Sequence, residues 1–332
     1  MTEITLLDGG MGQELIHRSG DQPTPWWATQ VMVDHPGLVA DIHRDYFAAG
    51  ATVATANTYA IHPDRFEGSP LADRFDTLAN LALQEAAAAQ RGTTGTRIAG
   101  SVGPLAATYR PELHPPYEQA RPAYAQAAAR LADAVDFILC ETVASVLHAR
   151  AILDGALETG KPVWLSVTVD DRNGALLRSG EPVSDIIPVV QGKAAAVLAN
   201  CSAPEVMLQA LDPLSDAGLP YGAYANGFQQ ITSDFLENSP TVDALDSRRD
   251  LTPPAYADHA LRWIDHGATI VGGCCEVGPA HITELAKRIR ALDGFRTTPV
   301  IILSSVDQSM DLATKSAIGF CELLLKPVRS ES

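Results

Sequence analysis

The sequence predicts an α/β protein whose single large domain is a (β/α)8 TIM barrel over residues 1–294, followed by a short C-terminal appendage. Two observations lead to this prediction. Eight short, β-rich apolar runs alternate with longer segments of helical period, which is typical of parallel strands joined by crossover helices. A chain of 332 residues also suits this fold, which takes about 250 residues and more with insertions.

The predicted strands are separated by segments that have the pattern of amphipathic helices, several of which end in glycine. The strands are predicted at residues 4–9, 52–57, 97–103, 136–141, 162–169, 194–201, 220–227 and 269–275. The alternative fold is an open, doubly wound sheet, which would normally carry a glycine-rich phosphate turn after its first strand. The stretch "DGGMGQEL" supplies glycines without the GxGxxG spacing, so a dinucleotide site is weakly supported.

Two segments lie outside the repeating units. The loop at 228–254 is long and polar, and such loops in a compact domain are usually functional or mobile, so a lid is one interpretation. The tail at 295–332 is similar to the last third of a response-regulator receiver domain, including its "KP" at 326–327. The tail is too short to form a receiver domain and lacks the acidic phosphoacceptor region. Its origin stays uncertain, and we infer no signalling role.

Charge and composition exclude several classes of partner. Forty acidic and twenty-four basic residues give a formal net charge of −16, so the surface should repel a phosphate backbone, and we expect no nucleic acid partner. No run of about 18 apolar residues and no basic segment followed by an apolar one is present, which favours a cytoplasmic protein with no membrane contact. The composition leaves a homo-oligomer open.

The chain has five cysteines, three of which lie where predicted strands end. Cys201 ends the sixth strand, and Cys274 and Cys275 end the eighth. One interpretation is that these are small buried apolar residues. In a reducing compartment, however, metal binding or catalysis explains clustered thiols better than a disulfide does. Because parallel strands of a barrel converge on one mouth, the three thiols could meet there, provided that the strand ends before Cys275.

Three thiolates around one ion favour zinc as the cofactor. Soft thiolate ligands and a tetrahedral preference suit zinc, and three protein ligands leave its fourth position open. The spacing of "NC" and then "GGCC" differs from structural zinc fingers, which use CxxC pairs.

Six stretches together resemble the homocysteine S-methyltransferase family, in order and at the family's spacing. They are "LLDGGMGQEL", "HRDYFAAGATVATANTYA", "GSVGP", the "ET" of "FILCET", "LANCS" and "GATIVGGCCEVGPAHI". The resemblance runs from about residue 4 to residue 292, and "GGCC" with an upstream "NC" is its most specific part. It implies a (β/α)8 barrel in which Cys201, Cys274 and Cys275 hold zinc.

The chemistry of methyl transfer to sulfur explains the use of thiolates. A thiol is a good nucleophile only when deprotonated, and a free thiol with a pKa of about 8.5 is mostly protonated at neutral pH. Zinc removes that proton, and three thiolate ligands leave electron density on the substrate sulfur. We therefore expect a thiol methyltransferase that acts on homocysteine and produces methionine, with the protein aligning an in-line displacement.

The amino and carboxylate groups of homocysteine also need partners. Glu141 is our candidate for the ammonium, with Asp8 as a second carboxylate, although Asp8 could instead organise a turn. The backbone amides of Gly9 and Gly10 are candidates for the substrate carboxylate, because glycine lets a ligand approach the main chain. Four further residues match mouth-lining segments of the family, or else only satisfy loop amides: Asn57, Thr58, Tyr59 and Ser101. Cys140 should face away from Glu141, into the core.

The methyl donor is the least constrained part of the prediction. A small onium compound is expected, with S-methylmethionine or S-adenosylmethionine favoured and betaine as the alternative. A cobalamin- and folate-dependent route would need further domains. Trp26 and Trp27 could bind an onium cation or merely pack their loop. Other functions left open are methylation of another small thiol or selenol, a barrel aldolase or hydrolase with a metal-bound water, and a zinc-binding barrel without enzymatic activity.

Overall fold

In the computed structural model, eight parallel strands form one sheet that curves into a barrel. The structure describes residues 3–21, 26–66, 68–69, 71–228, 248–292, 300–302 and 320–323. The strands are β1 Thr5–Leu6, β2 Val53–Thr55, β3 Arg97–Val102, β4 Phe137–Val143, β5 Val163–Val167, β6 Ala196–Asn200, β7 Tyr221–Ala225 and β8 Ile270–Gly273. Each lies on one of the eight predicted runs, although β4 extends two residues beyond its prediction.

The strand order shows how the barrel closes. Each strand from β2 to β7 pairs in parallel with the next strand along the chain, and β1 pairs with β8 through Thr5 and Ile270. A parallel bridge between Leu7 and Val53 joins β1 to β2. The predicted (β/α)8 barrel is therefore confirmed, and the doubly wound alternative is wrong.

Helices follow the strands as the alternating pattern predicts. Those of the described residues are α1 Met11–Ser19, α2 Trp27–Asp34, α3 Leu38–Ala49, α4 Phe75–Gln90, α5 Tyr117–Ala132, α6 Val146–Leu157, α7 Ile187–Val190, α8 Met207–Ser215, α9 Pro253–Asp265 and α10 Pro279–Ala291. The glycine stop signals hold in detail. Gly50 ends α3 with a left-handed φ of 110° and donates backbone hydrogen bonds to Phe47 and Tyr46, a conformation that glycine adopts without steric cost.

Side chains from all eight strand segments fill the barrel interior. The cluster consists of Leu7, Val53, Ala99, Phe137, Leu139, Trp164, Ala196, Leu198, Tyr224 and Ile270. Phe137 and Trp164 stack with ring centroids 4.1 Å apart, and the Arg97 guanidinium lies about as close to both rings, 5.4 and 5.3 Å from their centroids. Among the residues that the structure describes, the barrel interior is thus a packed core.

The chain divides into two compact units. Thr2–Ala286 forms the barrel, and the other unit comprises Met1 with Lys287–Ser332. Within the second unit, β9 (Val300–Ile302) pairs in parallel with β10 (Phe320–Leu323). The predicted boundary after residue 294 and the receiver-like origin of the tail stay predictions. Among the described helices, none is long and apolar enough to cross a membrane.

Candidate active site

A cavity of 660 Å³ opens where the barrel strands end. Its walls contain all three predicted metal ligands and every predicted substrate-binding residue except Thr58. Trp26 also lines it, whereas the side chain of Trp27 and most of the predicted lid, residues 229–247, lie outside the described part of the chain. The sequence prediction therefore brings its candidate residues to one place.

Three cysteine sulfurs converge on one wall of this cavity. The Sγ atoms of Cys201, Cys274 and Cys275 all lie within 4.8 Å of one another, and Cys201 is buried while the other two are half-buried. Cys201 and Cys274 are joined by a disulfide across a Cα separation of 5.8 Å, and Cys275 is a free thiol. The assignment of these three cysteines as metal ligands stays a prediction. Sulfurs gathered closely enough to share an ion are also close enough to oxidise in pairs.

The end of β8 explains how adjacent cysteines both reach the cavity. The Cys274 amide donates to Ala225 O at 2.9 Å, and the Val277 amide then donates to Cys274 O at 3.1 Å, closing a turn. Glu276 in this turn has a left-handed φ of 63°. Because the extended conformation has ended, the alternation of side chains no longer applies, as the sequence argument required. Burial raises the pKa of the Cys275 thiol to about 12.

Cys201 lies between two buried polar residues that fix its backbone. The Asn200 side chain accepts hydrogen bonds from the Thr142 amide at 3.0 Å and the Ser166 hydroxyl at 2.9 Å, and it donates to the Thr142 hydroxyl. The Ser202 hydroxyl bonds both the amide and the carbonyl of Val169. Between them Cys201 has a left-handed φ of 49°, which costs a non-glycine residue on the order of 1–3 kcal/mol. The motif "NCS" therefore ties the end of β6 to β4 and β5.

Glu141 points into the cavity near the end of β4. Its two carboxylate oxygens accept hydrogen bonds from the Ser101 and Tyr224 hydroxyls, the latter at 3.0 Å. Burial raises the pKa of this carboxyl, and the two hydroxyl bonds only partly offset that effect. The next residue, Thr142, has a φ of 60°, and the register of β4 against β5 shifts between Cys140 and Val143. The strand is therefore irregular where it carries Glu141.

Asp8 is a second buried carboxyl group on the cavity wall. It accepts hydrogen bonds from the amide and the hydroxyl of Thr55, both at 2.7 Å, and His43 Nδ1 lies 3.8 Å from its Oδ2. Burial raises the pKa of Asp8 to about 7, and the charge of Glu141 raises it further against the lowering effect of Thr55. Asp8 thus joins β1 to β2 through Thr55, and it also lines the cavity.

The start of α1 forms another part of the wall. The Gly10 amide donates to Val277 O at 3.0 Å, so in this conformation it is engaged within the protein instead of facing a ligand. Helix α1 begins at Met11 without a side-chain cap, and Met11, Gly12 and Gln13 all line the cavity. First-turn amides have no acceptor within their own helix, so these are better candidates for an anion than Gly10.

The sequence left two roles open for the predicted mouth residues, which are lining the cavity and satisfying loop amides. The structure shows examples of both. Thr58 donates to Ser101 O at 2.7 Å and has the loop-satisfying role. The Asn57 side chain also bonds its surroundings, donating to Ala28 O at 3.3 Å, but it lines the cavity. Tyr59 lines the cavity as well, and its hydroxyl is 3.0 Å from that of Thr108.

Among the aromatic residues of the cavity that sequence reasoning missed, three contact its functional side chains. Tyr109 and Phe228 pack with Cys201 in a buried cluster against which the half-buried Cys274 and Cys275 also pack, and Tyr224 bonds Glu141. Two of the three, Tyr224 and Phe228, lie in the run "YGAYANGF". Tyr224 is on a predicted strand, so the alternation of side chains along that strand could have indicated that it points inward. Tyr109 lies in an irregular loop and had none.

Strained backbone is concentrated at this end of the barrel. Five non-glycine residues in the described part of the chain have a positive φ: Ala106, Tyr109, Thr142, Cys201 and Glu276. The first four line the cavity, and the fifth follows Cys275. Such conformations persist only where the surrounding structure enforces them, and they cluster at functional sites.

Comparison with known proteins agrees with this geometry. The homocysteine S-methyltransferase family model matches residues 5–289. A homocysteine S-methyltransferase of Escherichia coli (strain K12) is 30% identical over 311 residues, which cover 86% of this chain and 95% of that protein. Crystal structures of the homocysteine methyltransferase MmuM from Escherichia coli match with TM-scores of 0.70 in the metallated form and 0.71 in the oxidized form. Both are 27% identical and cover 86% of this chain and 96% of that chain.

The fold and the cavity define a barrel enzyme, and the chain belongs to the homocysteine S-methyltransferase family. The family and the enzyme class predicted from the sequence are confirmed. The alternatives of an aldolase or hydrolase and of a barrel without enzymatic activity are not supported.

Proposed function

We propose that the protein transfers a methyl group from a small onium donor to the thiolate of homocysteine, giving methionine, with zinc held by Cys201, Cys274 and Cys275. The observation that carries the proposal is one cavity with three convergent sulfurs on one wall and two buried carboxyl groups, Asp8 and Glu141, on the others. The sulfurs offer the metal, and the carboxyl groups offer partners for a substrate ammonium.

The cysteine cluster fits zinc in the kind and the placement of its donor atoms. Three soft sulfur donors within 4.8 Å of one another suit a tetrahedral ion, and two of the three residues are half-buried on the cavity side. The disulfide between Cys201 and Cys274 must be reduced before all three can act as ligands. When bound there, zinc would supply a site that keeps the substrate sulfur deprotonated near neutral pH.

Glu141 and Asp8 would bind the substrate ammonium. The hydroxyls of Ser101 and Tyr224 hold the Glu141 carboxylate in place, and Thr55 holds Asp8. Both pKa values are raised by burial, so without a cation these groups resist ionisation. A bound ammonium would favour the ionised carboxylates, and charge-assisted hydrogen bonds in such a site are about twice as strong as neutral ones.

The first turn of α1 would bind the substrate carboxylate. Met11, Gly12 and Gln13 line the cavity at the start of α1, and the helix dipole favours an anion at this end. An ammonium at Glu141 and a carboxylate at α1 would hold both polar groups of the α-carbon, which leaves the side-chain sulfur at the other end of the molecule to reach the cysteines. This orientation is the protein's main contribution to an in-line displacement.

The methyl group would move between two sulfurs. The electron pair of the homocysteine thiolate forms the new S–CH3 bond, and the pair of the broken bond stays on the donor sulfur, which becomes a neutral thioether. With S-methylmethionine as donor, both products are methionine. The thiol proton leaves when the thiolate forms, so no side chain needs to act as a base on carbon.

Metal content and activity of the cysteine variants test this proposal. After reduction, the wild-type protein should take up about one zinc per chain, while Cys201→Ser, Cys274→Ser and Cys275→Ser should lose metal and methyl transfer together, because a serine hydroxyl stays protonated and is a poor soft ligand. Cys140→Ala is the matched control, since this free thiol is buried and its Sγ lies 3.9 Å from Ile152 O, in the core. Full zinc occupancy in all three serine variants would refute the site.

A further inference from the structure

A buried ion pair lies beside the cysteine cluster, in the loop that follows β5. Both Arg178 terminal nitrogens bond the Asp171 carboxylate at 3.0 Å, and the side chains are only 11% and 7% exposed. Antiparallel bridges, Val169 to Leu177 and Leu176 to Pro182, fold this loop back on itself. Burying an ion pair costs desolvation free energy, and the pair often adds little to the stability of the fold. We therefore looked for another role for this pair in its contacts.

The pair contacts the main chain of Cys201 and of Ala203, two residues further on. Arg178 Nη2 donates to Cys201 O at 3.4 Å, and the Asp171 carboxylate accepts from the Ala203 amide at 2.9 Å. The Thr168 hydroxyl donates to the same Cys201 carbonyl at 3.3 Å and accepts from Arg178 Nε. Cys201 is the residue with a left-handed φ of 49°, so these bonds brace the strained peptide that aims its sulfur.

The same guanidinium supports an aromatic ring over the cluster. The Arg178 guanidinium carbon lies 5.1 Å from the centroid of the Tyr109 ring, and Tyr109 packs with Cys201 and Phe228. Tyr109 itself has a left-handed φ of 64°. One cation therefore contacts both the backbone of a cysteine and the ring that packs against the sulfurs.

We propose that Arg178 is a positioning residue of the metal cluster, which holds Cys201 in the conformation that directs its sulfur to the metal. This inference rests on the proposed zinc site. Side chains that orient metal ligands typically change metal affinity 10- to 100-fold when they are replaced. Lysine would keep the charge but not the planar fork that bonds Asp171 with two nitrogens.

Metal affinity of the reduced protein tests the assignment. We expect Arg178→Met to weaken zinc binding by about 10- to 100-fold in competition with a chromophoric chelator. Arg178→Lys should show a smaller loss. The cobalt-substituted Arg178→Met protein should also show a changed thiolate-to-metal charge-transfer spectrum, which loss of general stability would not produce.

Arg97→Met is the matched control. Arg97 also stacks on aromatic rings, those of Phe137 and Trp164, but at the opposite end of the barrel. The zinc affinity of the Arg97→Met protein should stay within about twofold of that of the wild type, even if its melting temperature falls as far as that of Arg178→Met.

Three outcomes separate the claims. Unchanged zinc affinity and an unchanged cobalt spectrum in Arg178→Met would overturn the positioning role and leave the zinc site standing. An equal loss of affinity in Arg97→Met would overturn it too, since the cause would then be general destabilisation. A reduced wild-type protein that binds no zinc would overturn the proposed function itself. If Arg178→Met does not fold, Arg178→Lys takes its place, and an unchanged zinc affinity and cobalt spectrum in that variant would overturn the positioning role.

Discussion

Tyr224 on β7 donates a 3.0 Å hydrogen bond to Glu141 on β4, and so joins two strands that are not neighbours in the sheet. The bond crosses the mouth of the barrel above the packed interior, to which the Tyr224 ring belongs. Together with the Ser101 hydroxyl it fixes both oxygens of a carboxylate whose burial raises its pKa. The position of Glu141 therefore depends on side chains from β3 and β7 as well as on its own strand.

Removal of the Tyr224 hydroxyl should weaken homocysteine binding. Tyr224→Phe keeps the ring in the core and deletes a hydrogen bond to a charged group, worth about 1.5 kcal/mol or more, so we expect about a tenfold rise in the homocysteine dissociation constant with zinc retained. Tyr221→Phe is the control on the same strand, because that hydroxyl bonds His266 O at the surface. Equal affinity in both variants would show that Tyr224 does not support Glu141.

Glu141→Gln should have a larger effect than Tyr224→Phe. It removes the charge that pairs with the substrate ammonium, which is worth about 1.5–3 kcal/mol and corresponds to a 10- to 100-fold loss of homocysteine affinity. Isothermal titration of the zinc-loaded variant measures this directly. If Asp8→Asn loses affinity and Glu141→Gln does not, the ammonium partner is Asp8.

The strands, the cysteine triad and Glu141 could be predicted from the sequence, because each depends on a local pattern and on the convergence of parallel strands at one mouth. Contacts that depend on tertiary detail could not. The bond of the Gly10 amide to Val277 depends on how the β8 turn meets β1. The ion pair of Arg178 and Asp171 depends on the path of an irregular loop. The sequence of an irregular loop has no periodicity, so it does not indicate which residues its polar side chains contact.

The stability of the barrel should fall as the pH drops from about 6.5 to 4. Burial lowers the pKa of His43 and His62 to about 4 and that of His148 well below its usual value, so in this range the unfolded chain binds protons that the folded chain does not. Each such histidine reduces the free energy of unfolding by about 1.4 kcal/mol per pH unit. Asp8, with its pKa raised to about 7, and Glu141, whose pKa burial also raises, act in the opposite direction and offset part of this loss.

A histidine variant isolates this effect. Denaturant unfolding of His62→Gln should show a shallower loss of stability between about pH 6.5 and 4 than the wild type, and parallel behaviour above pH 7.5, where the imidazole is neutral in both states. Parallel curves through the acid range would mean that burial of His62 does not govern its protonation.

Truncation after Gly294 should leave zinc content and methyl transfer intact. The last helix of the barrel repeat, α10, ends at Ala291, so this truncation keeps it whole. Truncation after Ala286 is the comparison, because it removes the last turn of that helix and should destabilise the protein. Insoluble or metal-free protein from the Gly294 truncation would show that the tail is required by the barrel and that the predicted boundary is wrong.

The methyl donor is tested by supplying homocysteine with S-methylmethionine, S-adenosylmethionine or betaine separately and measuring methionine. We expect S-methylmethionine to be used best. The cavity of 660 Å³ presents Trp26 and Tyr109 together with the carboxyl groups of Asp8 and Glu141, a combination that attracts a small onium cation. Turnover with betaine alone would change the donor and leave the zinc site and the acceptor standing. Turnover with none of the three would reopen the identity of the acceptor, including other small thiols and selenols.

Trp26→Ala identifies the part of the cavity that binds the donor. A cation–π contact is worth about 0.5–2 kcal/mol, so the KM for the onium donor should rise about 2- to 30-fold while the KM for homocysteine stays unchanged. Inhibition by methionine, whose thioether sulfur is uncharged, controls for lost packing. If Trp26 binds the cation, the inhibition constant of methionine should rise by a smaller factor than the KM of the donor. If methionine inhibition and donor KM change by the same factor, Trp26 only packs its loop.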